Sequence, residues 1–216
     1  RYLGYCSDPD VQCNDKVVGV YDFVEDDPNT EDWVEENTKG IDNNGHGSHT
    51  AGIAAGAPTD VTVNRSIQTT ISGVAPRATL VSYRVCYMGE PYSEESEGCL
   101  NTAIAAAIDQ AVADGVDVIN YSIGSSSFAI GPDDIAFLFA ADAGVYVATS
   151  NGNSGPGAAT TGSPASVPWL TSVGASTQNR AFEGSARSSD GWEFFGASIT
   201  SGTDELPLIV AADAGD

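Results

Sequence analysis

An α/β fold, a parallel sheet with helices on both faces, is what this sequence predicts, on three observations. Residues 78–85 (ATLVSYRV), 116–123 (VDVINYSI) and 145–150 (VYVATS) are near-continuous apolar stretches of strand length, as expected of strands buried on both faces. Between them lie two segments with helical punctuation, 103–114 and a second opening at Pro132. The order strand, helix, strand, helix, strand suits a parallel sheet, whose crossovers need connections about as long as a helix.

Taken in order, the first 45 residues are acidic and loop-rich apart from 16–23 (KVVGVYDF), which reads as a strand. A small-residue helix is expected from Ser48 to about Gly56, and residues 57–73 read as polar and irregular. Strand 78–85 leads into a loop, 87–97, flanked by Cys86 and Cys99. Asn101 or Thr102 suits the N-cap of helix 103–114, and Gly115 its C-cap. Pro132-Asp133-Asp134 opens the next helix, because proline fits the first helical position and carboxylates favour the positive end of the helix dipole; Gly144 ends it. Residues 169–174 (WLTSVG) form a further strand. Beyond about Ser176 helical signals stop, and 192–195 and 206–210 read as short turn-separated β stretches that begin a second, β-rich region.

Composition narrows the function. A chain of 216 residues is one large domain, or one domain and part of another. Thirty acidic residues against eight basic ones give a net charge of −22, which argues against nucleic acid or an anionic membrane as partner and suits solubility in a salty medium. No apolar run approaches a membrane span. The four cysteines fall in two close pairs, Cys6 with Cys13 and Cys86 with Cys99. Zinc would want Cys-x2-Cys spacing or nearby histidines. Two local disulfides are therefore expected, and with them a secreted or periplasmic protein. No signal peptide opens the sequence at Arg1-Tyr2-Leu3, so a targeting segment is expected to have been removed or to lie outside it.

Both histidines of the chain, His46 and His49, sit in one run, residues 42–56 (DNNGHGSHTAGIAAG). Imidazole titrates nearest neutrality and suits general-base work, and Gly45 and Gly47 leave room for a substrate beside His46. The same run also reads as a glycine-rich turn capping a buried helix, with the histidines filling space. Residue types alone leave both readings open.

Residues 44–52 (NGHGSHTAG) resemble the histidine signature of the subtilisin-like serine proteases, in the extracellular branch that carries an inserted protease-associated domain. Residues 116–124 (VDVINYSIG) resemble the strand lining one wall of that family's primary specificity pocket, and 148–156 (ATSNGNSGP) the segment bearing its oxyanion-hole asparagine. Residues 162–165 (GSPA) and 173–177 (VGAST) fit later blocks, in the right order. The resemblance implies a subtilisin-like fold over residues 1–178, here incomplete, and the start of a β-rich insert over 179–216. It implies serine endopeptidase activity through an acyl-enzyme, with His46 as general base and Asn153 as oxyanion donor. Ser122, Ile123 and Gly124 would form one pocket wall, and Ser150, Asn151 and Gly152 the other, pairing with an extended polypeptide substrate. Residues 97–100 would form an edge strand for more distant substrate residues, while His49 would pack beneath the helix. Calcium often accompanies the family, but no cluster of ligands stands out, and neither metal nor other cofactor is assigned.

The sequence departs from the family in two places. The family aspartate is followed by a small residue and glycine, whereas Asp22 is followed by Phe23-Val24. Asp22 therefore reads as a surface carboxylate at a strand end, with the orienting aspartate expected upstream of Arg1. The nucleophile motif Gly-Thr-Ser-Met-Ala is absent, Ser154 lies in a Gly/Pro turn, and Ser122 lacks the first glycine of a nucleophile elbow. Residues 1–216 are thus expected to be inactive alone and to need the remainder of a parent protease as partner. A pseudoprotease or peptide-binding module that holds peptide without cutting it is the alternative, and an esterase using Ser122 is a third.

Overall fold

The computed structural model describes residues 2–24, 39–63, 67–88, 97–200, 202–207 and 209. It divides into two compact units, Arg1–Ala57 with Ser72–Ser176, and Pro58–Ile71 with Thr177–Asp216.

The first unit carries the expected α/β architecture. Its parallel strands are β1 (Leu3–Gly4), β2 (Val17–Asp22), β5 (Leu80–Arg84), β8 (Val118–Tyr121), β9 (Tyr146–Ser150) and β10 (Thr171–Val173). They form two three-stranded sheets, ordered β1-β2-β5 and β10-β9-β8, in which every pairing is parallel. The helices are α1 (His46–Ala55), α2 (Asn101–Asp114) and α3 (Pro132–Asp142).

Ala103, Ile104, Ala107, Ile108 and Ala111 form the buried stripe of α2, and the first four meet Phe137 and Ala140 of α3 and Tyr121 and Val147 of the sheet in one core. Alanine on a helix face lets a second helix approach closely, and the isoleucines fill what remains. Phe137 is fully buried and packs edge-on against the Tyr121 ring, with centroids 4.9 Å apart. The β1-β2-β5 sheet is tied to α2 by polar contacts. Tyr21 and Tyr83 face each other across β2 and β5, stack at 5.3 Å, and donate their hydroxyls to the two carboxylate oxygens of Asp114 at 3.1 and 2.8 Å.

Several helix ends differ from expectation. Asn101 and Thr102 lie inside α2, and the N-cap is Leu100, whose carbonyl accepts the Ile104 N–H at 2.9 Å while its own N–H is held by the Val85 carbonyl at 3.2 Å. An extended backbone anchored to β5's end supplies the cap without a side chain. Gly115 does end α2, in the left-handed region at φ 76°. Helix α1 begins at His46, two residues before the expected Ser48.

Both disulfides form, with Cα–Cα separations of 5.5 Å for Cys6–Cys13 and 4.0 Å for Cys86–Cys99. The second joins directly opposed residues of an antiparallel pair, β6 (Cys86–Met88) with β7 (Glu97–Cys99). Residues 97–99 are thus a strand, as expected of the proposed edge, while most of loop 87–97 lies outside the described residues.

The second unit corrects the reading of 57–73 as irregular. Strands β3 (Thr59–Val63) and β4 (Ile67–Ile71) pair antiparallel, from Thr59 opposite Ile71 to Val63 opposite Ile67. Threonine, valine and isoleucine alternate there, and β-branched residues favour a pleated ladder even where they are polar. A second hairpin pairs β11 (Glu183–Arg187) with β12 (Glu193–Ala197), closed by an Arg187–Glu193 ion pair at 2.8 Å. Of the expected strand over 206–210, the described residues 206, 207 and 209 are not in a ladder.

Candidate active site

His46 owes its position to the residues before it. Gly45 adopts φ 93°, open to glycine at little cost, and turns the chain so that His46 is the first residue of α1. The Asp42 carboxylate then gathers the free N–H groups of the helix end, accepting from Gly45 at 2.8 Å, Ser48 at 2.8 Å and Asn44 at 3.1 Å. Partial burial raises the Asp42 pKa, but these hydrogen bonds and one from the Ser48 hydroxyl outweigh it and hold the carboxyl down at about 2. Asn44 Oδ1 accepts the His46 N–H at 3.1 Å. The His46 side chain is exposed. His49, expected to pack beneath the helix, is exposed too: one turn on, it shares the bare side of α1.

Parallel pairing of β8 with β9 sets Tyr121 opposite Thr149. The segments that leave these strands, Ser122-Ile123-Gly124 and Ser150-Asn151-Gly152, therefore emerge side by side at the carboxyl edge of the sheet, where ligands bind in open α/β folds. Gly152 turns the chain at φ 86°, and Asn153 follows with an exposed amide that makes no hydrogen bond among the described residues. Asn151 is held by its N–H to the Val173 carbonyl at 2.9 Å. The Ser122 hydroxyl accepts from Asn120 Nδ2 at 3.2 Å and is bonded to neither histidine.

Asp22 is not the surface carboxylate expected from its place at a strand end. It is 1% exposed, paired with Arg84 Nη1 at 3.0 Å, and accepts the Gly40 and Val24 N–H groups at 2.9 and 3.1 Å. The β2–β5 register sets Asp22 opposite Arg84, so strand pairing creates the ion pair. Among the described residues no carboxylate is hydrogen-bonded to the His46 imidazole, and no group of three or more His, Cys, Asp or Glu side chains gathers as a metal cage.

Two acidic residues have contacts that the sequence did not reveal. Asp42 lies three residues before the N-cap Gly45, outside the usual capping position, and still reaches the Ser48 N–H of the first turn. Asp134, fully buried on α3, reaches Ser163 across the chain with its carboxylate, which accepts the Ser163 hydroxyl at 2.9 and 3.1 Å. Burial, and the nearby Asp134 charge, raise the pKa of the adjoining Asp133.

The family model described as "Subtilase family" (Peptidase_S8) matches residues 7–204. The chain belongs to the subtilase family. This subtilase is 36% identical over 224 residues to subtilisin-like protease SBT1.4 of Arabidopsis thaliana, covering 96% of this chain and 27% of that protein. Against SBT5.6 of the same plant it is 40% identical, covering 80% of this chain and 22% of that protein. It thus spans about a quarter of the length of these curated relatives. Among solved structures, sphericase matches with a TM-score of 0.51 and 27% identity, over 83% of this chain and 53% of that one.

Proposed function

We propose that these residues are part of a subtilisin-type serine endopeptidase, in which His46 is the general base and Asn153 donates to the developing oxyanion. The observation that carries this reading is the side-by-side emergence of residues 122–124 and 150–152 from paired strands, with the unpartnered Asn153 amide just beyond. An extended polypeptide substrate would lie between these two backbone walls by strand addition. Acyl transfer needs a serine deprotonated by imidazole as it attacks, a carboxylate that fixes the imidazole tautomer, and donors aimed at the oxyanion. Asn153 supplies one such donor, worth about 100- to 1,000-fold in rate. The nucleophile and the orienting acid come from the remainder of the parent protease, since Asp22 is committed to Arg84. Residues 179–216 would begin a protease-associated-type insert, and the two disulfides and acidic surface suit a secreted protein.

Purified residues 1–216 should hydrolyse no fluorogenic peptide, whereas the parent protease should do so and lose that activity on His46→Ala. Hydrolysis by residues 1–216 that disappears with His46→Ala would sink the division of the triad between this chain and the rest. The second reading is a module that binds peptide without cutting it. Peptide binding by a parent protein that never turns substrate over would establish it.

A further inference from the structure

The proposed wall 122–124 continues into a short ladder that nothing in the proposed reaction uses. Ser125 N–H donates to the Ser163 carbonyl at 2.9 Å, and Ser163 N–H donates to the Ser127 carbonyl at 2.8 Å. Gly162 lets the two segments meet, because a Cβ there would collide with the Ser125 carbonyl oxygen. Behind the ladder, the Ser163 hydroxyl is clasped by both oxygens of Asp134. Asp134 is in turn fixed to α3: its carboxylate accepts the Gly131 N–H at 2.6 Å, and its carbonyl accepts Trp169 Nε1 at 3.0 Å. Asp134 and Ser163 are both buried.

A polar group buried this deeply is costly unless it is fully hydrogen-bonded, so such a group holds its partners to a narrow geometry. Ser163 is where that rigidity passes from the helix to the ladder: its side chain faces Asp134 while its backbone holds both ends of residues 125–127. We propose that Asp134 and Ser163 are positioning residues for the substrate groove, fixing the segment 125–127 that extends wall 122–124 so that the wall's backbone is ready to pair with an extended peptide. The inference rests on the reading of residues 122–124 as a peptide-binding wall. Its effect belongs to substrate binding, because a loosened wall must be ordered before each peptide can bind.

Amide hydrogen exchange on residues 1–216 tests the clasp without any need for catalysis. In Ser163→Ala the Ser125 and Ser163 amides should exchange about 10- to 100-fold faster, the range of a lost hydrogen bond to a charged acceptor. Val147 and Thr149 amides should be unchanged, and Ser163→Thr, which keeps the hydroxyl, should restore protection. Unchanged exchange at Ser125 and Ser163 overturns the proposal. Should Ser163→Ala lose protection everywhere, Asp134→Asn decides in its place: faster exchange confined to this ladder supports the clasp, and none refutes it.

In the parent protease, Ser163→Ala should raise KM for peptides about 10-fold and alter kcat much less. Faster ladder exchange with unchanged KM overturns the positioning role and leaves Ser163 a structural staple. A wild-type parent that cleaves no peptide defeats the protease reading instead; peptide Kd from fluorescence polarisation then makes the same comparison, with the same 10-fold criterion.

Discussion

Helices α1 and α2 are both built from small residues, yet they are held in opposite ways. Helix α2 buries five residues, four of them, with Ile104 and Ile108 among these, in the core shared with α3 and the sheet. Helix α1 buries Ala55 alone, and Ile53 is 58% exposed. Polar contacts at its two ends hold α1. Asp42 gathers its N-terminus, and residues 73–75 lie along its C-terminus, where the Gly73, Val74 and Ala75 N–H groups donate to the Gly56, Ile53 and Ala54 carbonyls at 2.9, 3.0 and 2.8 Å. Gly73 is required there, because a Cβ would strike the backbone of Ala55 and Gly56. The helix carrying the proposed base is thus aimed by hydrogen bonds, while the helix behind the β8–β9 sheet is fixed by burial. Hydrogen bonds give direction; apolar burial gives most of the stability.

The contrast can be broken most forcefully at Phe137. Phe137→Ala should cost about 3–5 kcal/mol in urea unfolding, as expected for a buried aromatic replaced by a cavity. A loss under about 1 kcal/mol would mean that the α2–α3 core does not dominate.

Asp42 sharpens the other side. Asp42→Ala should cost about 1 kcal/mol or less, because the group is exposed and solvent screens its charge. The Asp42 carboxyl titrates near 2 in the folded chain, against about 3.9 in an unfolded one. A depressed pKa stabilises the ionised fold, so the contribution is complete above about pH 4 and fades as pH falls through about 2. The gap in melting temperature between wild type and Asp42→Asn should therefore narrow over that window. A gap constant from pH 5 to 2 would show that ionised Asp42 is not what holds α1.

The smallest effect is expected at Ile53. Ile53→Ala should change stability by no more than about 0.5 kcal/mol despite removing a large apolar side chain. A loss in residues 1–216 near that of Phe137→Ala would erase the distinction between the two helices.

How much of this was legible in the sequence follows the range of the interactions. Helix α2, the helix opening at Pro132 and strands β8 and β9 depend on local periodicity and punctuation, and they stand close to where the residues place them. Both disulfides were legible because each closes a short loop, of sequence separation 7 and 13. That residues 122–124 and 150–152 leave neighbouring strand ends was legible from the strand order together with the rule that sites sit at the carboxyl ends of parallel strands. What could not be read depends on partners far along the chain. Asp22 looks solvent-facing until β2 pairs with β5 and brings Arg84 from 62 residues away. Asp134 looks like an ordinary acidic first turn until Ser163 arrives from 29 residues away. Hairpin β3–β4 was missed for a different reason: its threonines count as polar in a hydropathy pattern, while their branched Cβ favours the ladder.

The Cys86–Cys99 bridge bears on the chain's survival near proteases. Because the bond spans opposed residues of β6 and β7, a cut at any peptide bond between the two cysteines leaves both new ends on one covalent molecule. Such a nick would be silent on a non-reducing gel and would appear as two bands once the thiols are reduced. Leu100, next to the bridge, caps α2 with its carbonyl, so a molecule scarred in this way would still keep the start of its best-buried helix tethered to β5.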